Sequence, residues 1–291
     1  MTLTWPVVAA VLFGALLHAS WNALIKSGRD KSLDTALIHV MGCVVAAPLV
    51  AWLGWPPAAA WPWLGASLVI HIGYYIALAG AYRHGDLGLT YPIMRGLGPL
   101  LVVLILAASG GRIIDEQLTL PTLLGVAGIS GGVLLVGLSK VSSGNHRRAL
   151  QFALLNALII AVYTIVDGIG VRASGHALQY VATLFLFDGL PYFLLVMHRR
   201  GPAERPAAWA HMRARWPVAL LGTVASLGSY GIALWAMTRA PVAAVAALRE
   251  TSVLFAAVIG TRLLKEPFGA RRAMGTLAIV GGVMALRLAQ A

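Results

Sequence analysis

A seven-residue stretch of this chain returns 150 positions later, and no other feature limits its fold so strongly. Gly-Gly-Arg-Ile-Ile-Asp-Glu at residues 110–116 reads again as Gly-Thr-Arg-Leu-Leu-Lys-Glu at 260–266. Gly125 recurs as Gly275, and Gly131-Gly132 as Gly281-Gly282, at the same spacing. A second echo, at a different offset, sets Ala-Leu-Leu-His-Ala-Ser-Trp-Asn (15–22) against Ala-Leu-Ile-Ile-Ala-Val-Tyr-Thr (157–164). The chain reads as a duplicated unit, and long apolar chains built from two such halves are most often transporters.

Composition places both halves in a membrane. Apolar residues make up 59% and charged residues 11%, against roughly 25% charged in soluble domains. A helix needs about 20 apolar residues to cross a bilayer. Ten such segments fit into 291 residues with short loops: 5–26, 33–54, 62–82, 87–109, 120–139, 150–170, 177–198, 216–237, 241–263 and 269–288. Turn signals separate them at 27–30, 55–57, 83–86 and 142–145, with a longer connection over 199–215. The net charge of +12 does not point to nucleic acid, because the basic residues lie in short loops and not along one face. The N-terminus has no basic region or small-residue cleavage site, so Trp5 onward reads as a retained span. The single cysteine, Cys43, excludes an internal disulfide.

Five spans per half force the second copy, 147–291, to insert upside down relative to the first, 1–140. The charges agree with this. Odd-numbered loops carry sixteen basic residues, among them Lys26, Arg83, Arg147, Arg200, Arg215 and Lys265. Even-numbered loops and tails carry Arg112, Arg172, Arg239 and Arg287. The positive-inside rule makes the odd loops cytoplasmic and both termini periplasmic in a bacterial inner membrane.

Ten spans in two five-helix halves, the 262–266 stretch with Pro267 and the glycine-rich span after it, and the weaker copy over 112–132 resemble the drug/metabolite transporter superfamily. The likeness is closest to its EamA-like members, and it covers essentially the whole chain. Trp21 and Tyr163 fall where this family tends to place an aromatic. The resemblance implies an all-α membrane fold of two inverted repeats around a central cavity, working by alternating access without ATP hydrolysis. The chain contains no P-loop. The family's substrates include amino acids and other metabolites, nucleotide sugars and phosphorylated sugars, and, among small four-helix relatives, organic cations.

Charges near a bilayer centre cost roughly 2.5–3.5 kcal/mol on insertion scales and face a cavity or a partner. Arg95 lies in the fourth span between Pro92 and Pro99, with Gly96 and Gly98 beside it, a composition that predicts a broken helix. Arg249 and Glu250 lie in the ninth span, and aligning the two spans sets Arg95 opposite Arg249. The two guanidiniums form a candidate anion clamp. Glu250 is a candidate for proton coupling or for a substrate ammonium, as is Asp188, which precedes Gly189 and Pro191. Asp167, near the end of the sixth span before Gly168 and Gly170, reads first as a residue at the membrane surface, with a functional role as the other reading. His18, Trp21 and Asn22 share one face of the first span, and with Tyr75, Tyr91, Tyr163 and Tyr230 they are the candidate cavity walls. His71 and Tyr74 share a face with Tyr75, and His39 reads as structural. Trp5, Trp52, Trp55, Trp61, Trp63 and Trp216 read as interfacial anchors. The glycines of the fifth and tenth spans read as close packing within the fold, which favours a monomer. Gly128, Gly131 and Gly132 would serve a homodimer.

These residues predict a secondary active exporter of small zwitterionic or anionic metabolites such as amino acids, with proton coupling as a hypothesis and direction inherited from the resemblance. The alternative is an exporter of hydrophobic organic cations, against which paired intramembrane arginines count unless Glu250 and Asp188 neutralise them. A membrane-embedded enzyme is the distant reading, since His18, His39 and His71 lie on three spans and no metal-ligand spacing occurs. The expected partners are a small-molecule substrate and the lipid bilayer, without cofactor, metal or nucleic acid.

Overall fold

The computed structural model of the chain describes residues 2–84, 87–116, 118–137, 147–264 and 269–288. Every long apolar segment in them is helical. The helices are α1 (Trp5–Lys26), α2 (Lys31–Leu53), α3 (Trp61–His84), α4 (Leu87–Ser109), α5 (Leu120–Gly137) and α6 (Arg147–Ser174). They continue with α7 (Ala177–Arg199), α8 (Arg205–Met237), α9 (Val242–Arg249), α10 (Ser252–Leu264) and α11 (Ala270–Leu288). The turn residues 85–86 and 142–145, Lys140 and the second repeat's Lys265, Glu266 and Pro267 lie outside the described residues.

Eight segments are long and apolar enough to cross a membrane, and α5 is a shorter apolar helix. With α11, and with α9 and α10 forming one interrupted rod, they make ten. Their outer faces are apolar: Val44, Val69, Leu104, Leu221 and Leu277 are each more than 60% exposed. A soluble protein does not present such a surface. The interior is built from small side chains, with Ala36, Ala153, Ala161 and Ala244 fully buried, because helices in lipid associate by close packing and not by hydrophobic exclusion. Trp5, Trp52, Trp55, Trp61 and Trp216 are exposed as anchors require, whereas Trp63 is half-buried and packs against Gly170.

The helices pair across the halves. α1 packs on α8, α3 on α6, α2 on α7 and α5 on α11, which is the set that exchanging the two halves maps onto itself. The α5–α11 contact shows this residue by residue. A Cβ on Gly132 would meet Gly275 O at 2.5 Å, and one on Gly282 would meet Gly125 O at 2.7 Å. Because Gly275 repeats Gly125 and Gly282 repeats Gly132, the two contacts are reciprocal, as a two-fold relation between copies requires. The glycine stripe therefore packs inside the fold, while Gly131 and Gly281 face open space.

Three segments differ from the expectation. The 199–215 connection is helical from Arg205, because Pro206 suits a first turn and the alanine-rich run after it favours helix. Ala208 and Met212 there bury against Leu33, Leu37, Val196 and Met197. The fourth span is one continuous helix despite Pro92 and Pro99; both prolines are buried among neighbouring helices, where lost backbone bonds are tolerated. The break lies in the ninth span instead. Glu250 and Thr251 interrupt it, with i→i−3 bonds from Glu250 N–H to Ala247 O (3.0 Å), Thr251 N–H to Leu248 O (3.1 Å) and Val253 N–H to Glu250 O (3.1 Å). Such a tightened turn inside a span marks a hinge.

Candidate functional site

The break sets the site. α9 is eight residues long and carries Arg249 as its last residue, with Glu250 capping it. Its other end is held by Glu116, whose Oε1 accepts from Val242 N–H and from Arg172 Nη2, both at 2.8 Å. Arg172 Nε donates in turn to Met237 O at 2.8 Å. Glu116 is the glutamate that closes the first copy of the repeat. Arg249 thus rides on a short rod pinned at one end and jointed at the other.

Arg95 and Glu250 are both buried, and Arg95 Nε lies 2.7 Å from Glu250 Oε2. The contact is ionic and poorly aligned as a hydrogen bond, for Nε and Nη2 of Arg95 find no aligned acceptor among the described residues. Of the two arginines of the candidate clamp, Arg95 is paired with the residue next to Arg249, the Arg95–Glu250 pairing weighed from the sequence. Arg249 itself makes no ion pair among the described residues and lies over the ring of Tyr230, its guanidinium carbon 5.2 Å from the centroid. The pairing of Arg249 with Asp188 that would have removed the objection to a cation does not occur. Asp188 Oδ2 instead accepts from the Tyr75 hydroxyl at 2.7 Å, with His39 Nδ1 at 3.6 Å.

The predicted cavity residues separate into two groups. His18 lies within electrostatic reach of both Arg95 and Arg249, and Tyr91 within reach of Arg95 and Glu250. Tyr163 is buried 4.7 Å, ring to ring, from His71. With Tyr230 these residues surround the arginines. Tyr75 belongs to the second group, with Asp188 and with His39, which is a partner of that tyrosine and not merely a packed side chain (3.2 Å). Trp21 donates to His18 Nδ1 at 3.3 Å and so positions its ring. Asn22 gives its amide to His18 O on its own helix, at 2.8 Å, which turns it away from a lining role.

Asp167 is not at the membrane surface. The sixth span runs to Ser174, so Asp167 lies two turns inside it and is fully buried. Tyr180 donates to its Oδ1 at 2.9 Å and the Tyr230 hydroxyl bonds its Oδ2. Sequence reasoning missed Asn156: it is buried, donates to Met94 Sδ at 2.9 Å and leaves Oδ1 without a partner among the described residues. The signal available for it was an amide in the middle of an apolar stretch of the sixth span.

A closed space of about 10 Å³, on the order of a single water, lies between Gly98, Pro99, Ile160, Tyr163, Arg249 and Glu250. A larger concavity, about 670 Å³, lies elsewhere, on the surface between Phe193, Met197, Arg205 and Trp209, and holds none of the buried charges.

Residues 147–288 match the model of the EamA-like transporter family. No curated protein matches the chain. A solved crystal structure, described only as that of a protein, is similar over 98% of this chain and 96% of its own, with a TM-score of 0.72 and 16% identity. Identity that low shows a shared fold alone.

Proposed function

We propose a function from the premise that the chain carries an EamA-like transporter family domain over residues 147–288, which makes it, broadly, a membrane transporter. It is a secondary active transporter of small anionic or zwitterionic metabolites such as amino acids, working by alternating access of two inverted halves, 1–140 and 147–291, in a bacterial inner membrane with both termini periplasmic. Export is the direction expected from the family resemblance.

The observation that carries this reading is Arg249. A guanidinium inside a membrane bundle with no ion-paired carboxylate among the described residues, lying over an aromatic ring and bordering a small space, is a cation kept for an anion. The unaligned Nη2 of Arg95 supplies further donors beside it. Movement of α9 about the Glu250–Thr251 joint would enlarge that space toward one face and then the other.

The test is a thermal-shift panel on purified protein with L-phenylalanine, L-glutamate, succinate, inorganic phosphate and tetraphenylphosphonium. Stabilisation by carboxylates or phosphate that disappears in Arg249→Ala supports the reading. One observation favours the hydrophobic-cation alternative, namely that Asp167 sits among Tyr180, Tyr230 and His71 without a cation. Stabilisation by tetraphenylphosphonium that survives Arg249→Ala would replace the anion reading with that one.

A further inference from the structure

Among the described residues, the buried carboxylates have a basic side chain within ion-pair distance with one exception. Among the described residues Glu250 faces Arg95, Glu116 faces Arg172, Asp34 faces Arg215 and His211, and Asp188 has His39 at 3.6 Å. Asp167, fully buried, makes no ion pair. An ionised carboxylate in that setting is costly unless it can neutralise itself by taking up a proton.

The groups facing it come from every helix packed around it. α3 presents Ser67 and His71, α7 presents Tyr180, and α8 presents Tyr230. α9 presents Arg249 over the Tyr230 ring. α4, which packs on α6, carries Tyr91 and Arg95, the latter held by Glu250. α6 itself adds Tyr163 one turn earlier, its ring tilted against His71. Only one of these side chains touches both Asp167 and the free guanidinium, and that is Tyr230.

We propose that Asp167 binds a proton and that Tyr230 reports its occupancy to the anion site at Arg249. The mechanism follows from a phenol being both donor and acceptor. When Asp167 is ionised, the Tyr230 O–H donates to it. When Asp167 takes up a proton from water, its O–H donates to the Tyr230 oxygen, and the phenolic hydrogen turns about the C–O bond to the other in-plane direction, away from the carboxylate. It is then released to serve an anion held by Arg249, whose guanidinium lies over the same ring. One proton is gained, no covalent bond to the substrate forms, and the anion acquires a donor it lacked. Proton and anion therefore bind cooperatively and would cross together, a coupling that an inward proton gradient turns toward uptake and that departs from the export direction expected from the resemblance. The coupling carboxylate is Asp167, in place of Glu250, which Arg95 holds, and of Asp188, which Tyr75 and His39 hold.

The coupling half of this proposal rests on the anion reading above, whereas the proton half does not, and the experiment separates them. Infrared difference spectra of purified protein between pH 5 and 9 should show a side-chain carboxylic C=O band that disappears as pH rises and is missing in Asp167→Asn. A band that does not change with pH, or that survives Asp167→Asn, overturns the proton site. Titration with L-phenylalanine and L-glutamate should show a dissociation constant about tenfold lower at pH 6 than at pH 8, within the usual span of coupling free energies. That pH dependence should vanish in Asp167→Asn and in Tyr230→Phe, the second variant retaining the carboxylic band. An unchanged dependence in either variant overturns the coupling. If neither amino acid binds while the infrared band behaves as described, the anion reading and the coupling fall together and the proton site stands.

Discussion

Replacing Glu250 by glutamine tests whether the Arg95–Glu250 pair holds the centre of the bundle together. The two side chains are 7% and 4% exposed and touch at 2.7 Å. For charge centres about 4 Å apart, an effective dielectric of about 20 gives an attraction of about 4 kcal/mol. Glu250→Gln removes the anion and leaves the guanidinium buried, a situation that costs about 3–5 kcal/mol in comparable sites. Arg95→Met leaves the carboxylate in the same position and should cost a similar amount. The double variant Arg95→Met/Glu250→Gln buries no charge, so its stability should return to within about 1 kcal/mol of the parent. Thermal melts in detergent read this directly. At roughly 2–4 °C per kcal/mol, each single variant should melt about 10 °C lower and the double should recover most of the loss. Single variants that melt with the parent, or a double whose loss equals the sum of the singles, would refute the claim that the charges answer one another.

Three further expectations come from other parts of the fold. Gly132→Ala drives a methyl to 2.5 Å from Gly275 O and should cost about 1–3 kcal/mol, whereas Gly131→Ala, one residue away, meets nothing within 4 Å and should melt like the parent. At Asp30, burial works against the charged form but is outweighed by the Leu33 N–H and by Arg200 at 2.6 Å, so its carboxyl is held below the usual carboxylate range. A lowered folded value stabilises the protein above the unfolded value and loses that contribution as pH falls through the folded one. The melting difference between the parent and Asp30→Asn should thus stay constant from pH 6 to 8 and shrink below about pH 4. Finally, fusions to the C-terminus report orientation: with that end periplasmic, alkaline phosphatase should be active there and green fluorescent protein dark, and the reverse result would overturn the assignment drawn from loop charges.

The parts of the fold legible in the sequence were those dictated by lipid and by small residues. A bilayer demands long apolar runs, so the ends of α1, α4 and α7 fall within a residue of the hydropathy reading. Gly125, Gly132, Gly275 and Gly282 advertised a close contact because nothing else permits one, though which of them meet, Gly132 with Gly275 and Gly125 with Gly282, emerged from the structure. The α8 extension was less visible, since Arg205, Arg213 and Arg215 suggest a loop to any hydropathy argument, although Pro206 and the alanines favour helix and Ala208 and Met212 pack on α2 and α7. The break in α4 was expected from its prolines and occurred instead at Glu250–Thr251, where local sequence carries no proline or glycine at all. There the pull of Arg95 on Glu250 and the hold of Glu116 on Val242 act from distant parts of the chain, and local composition does not encode them.

The same limit governs the site. Finding Arg95, Arg249 and Glu250 required only that charges in lipid be noticed, but their roles depend on which pairs form, and pairing is a property of three-dimensional proximity. Adjacent residues in a helix point about 100° apart, so α9 cannot turn both Arg249 and Glu250 toward Arg95. Glu250 takes the inward direction beside α4, and Arg249 is left over Tyr230. Tyr230 in turn is what brings Asp167, 82 residues before Arg249 in sequence (249 − 167), to the hydroxyl of the same ring. Among the described residues, an arginine without an ion-paired carboxylate and a buried aspartate without an ion-paired base are thus separated by a single phenol. That arrangement is why the anion site and the proton site are argued together: perturbing Tyr230 alone should disconnect them without removing either.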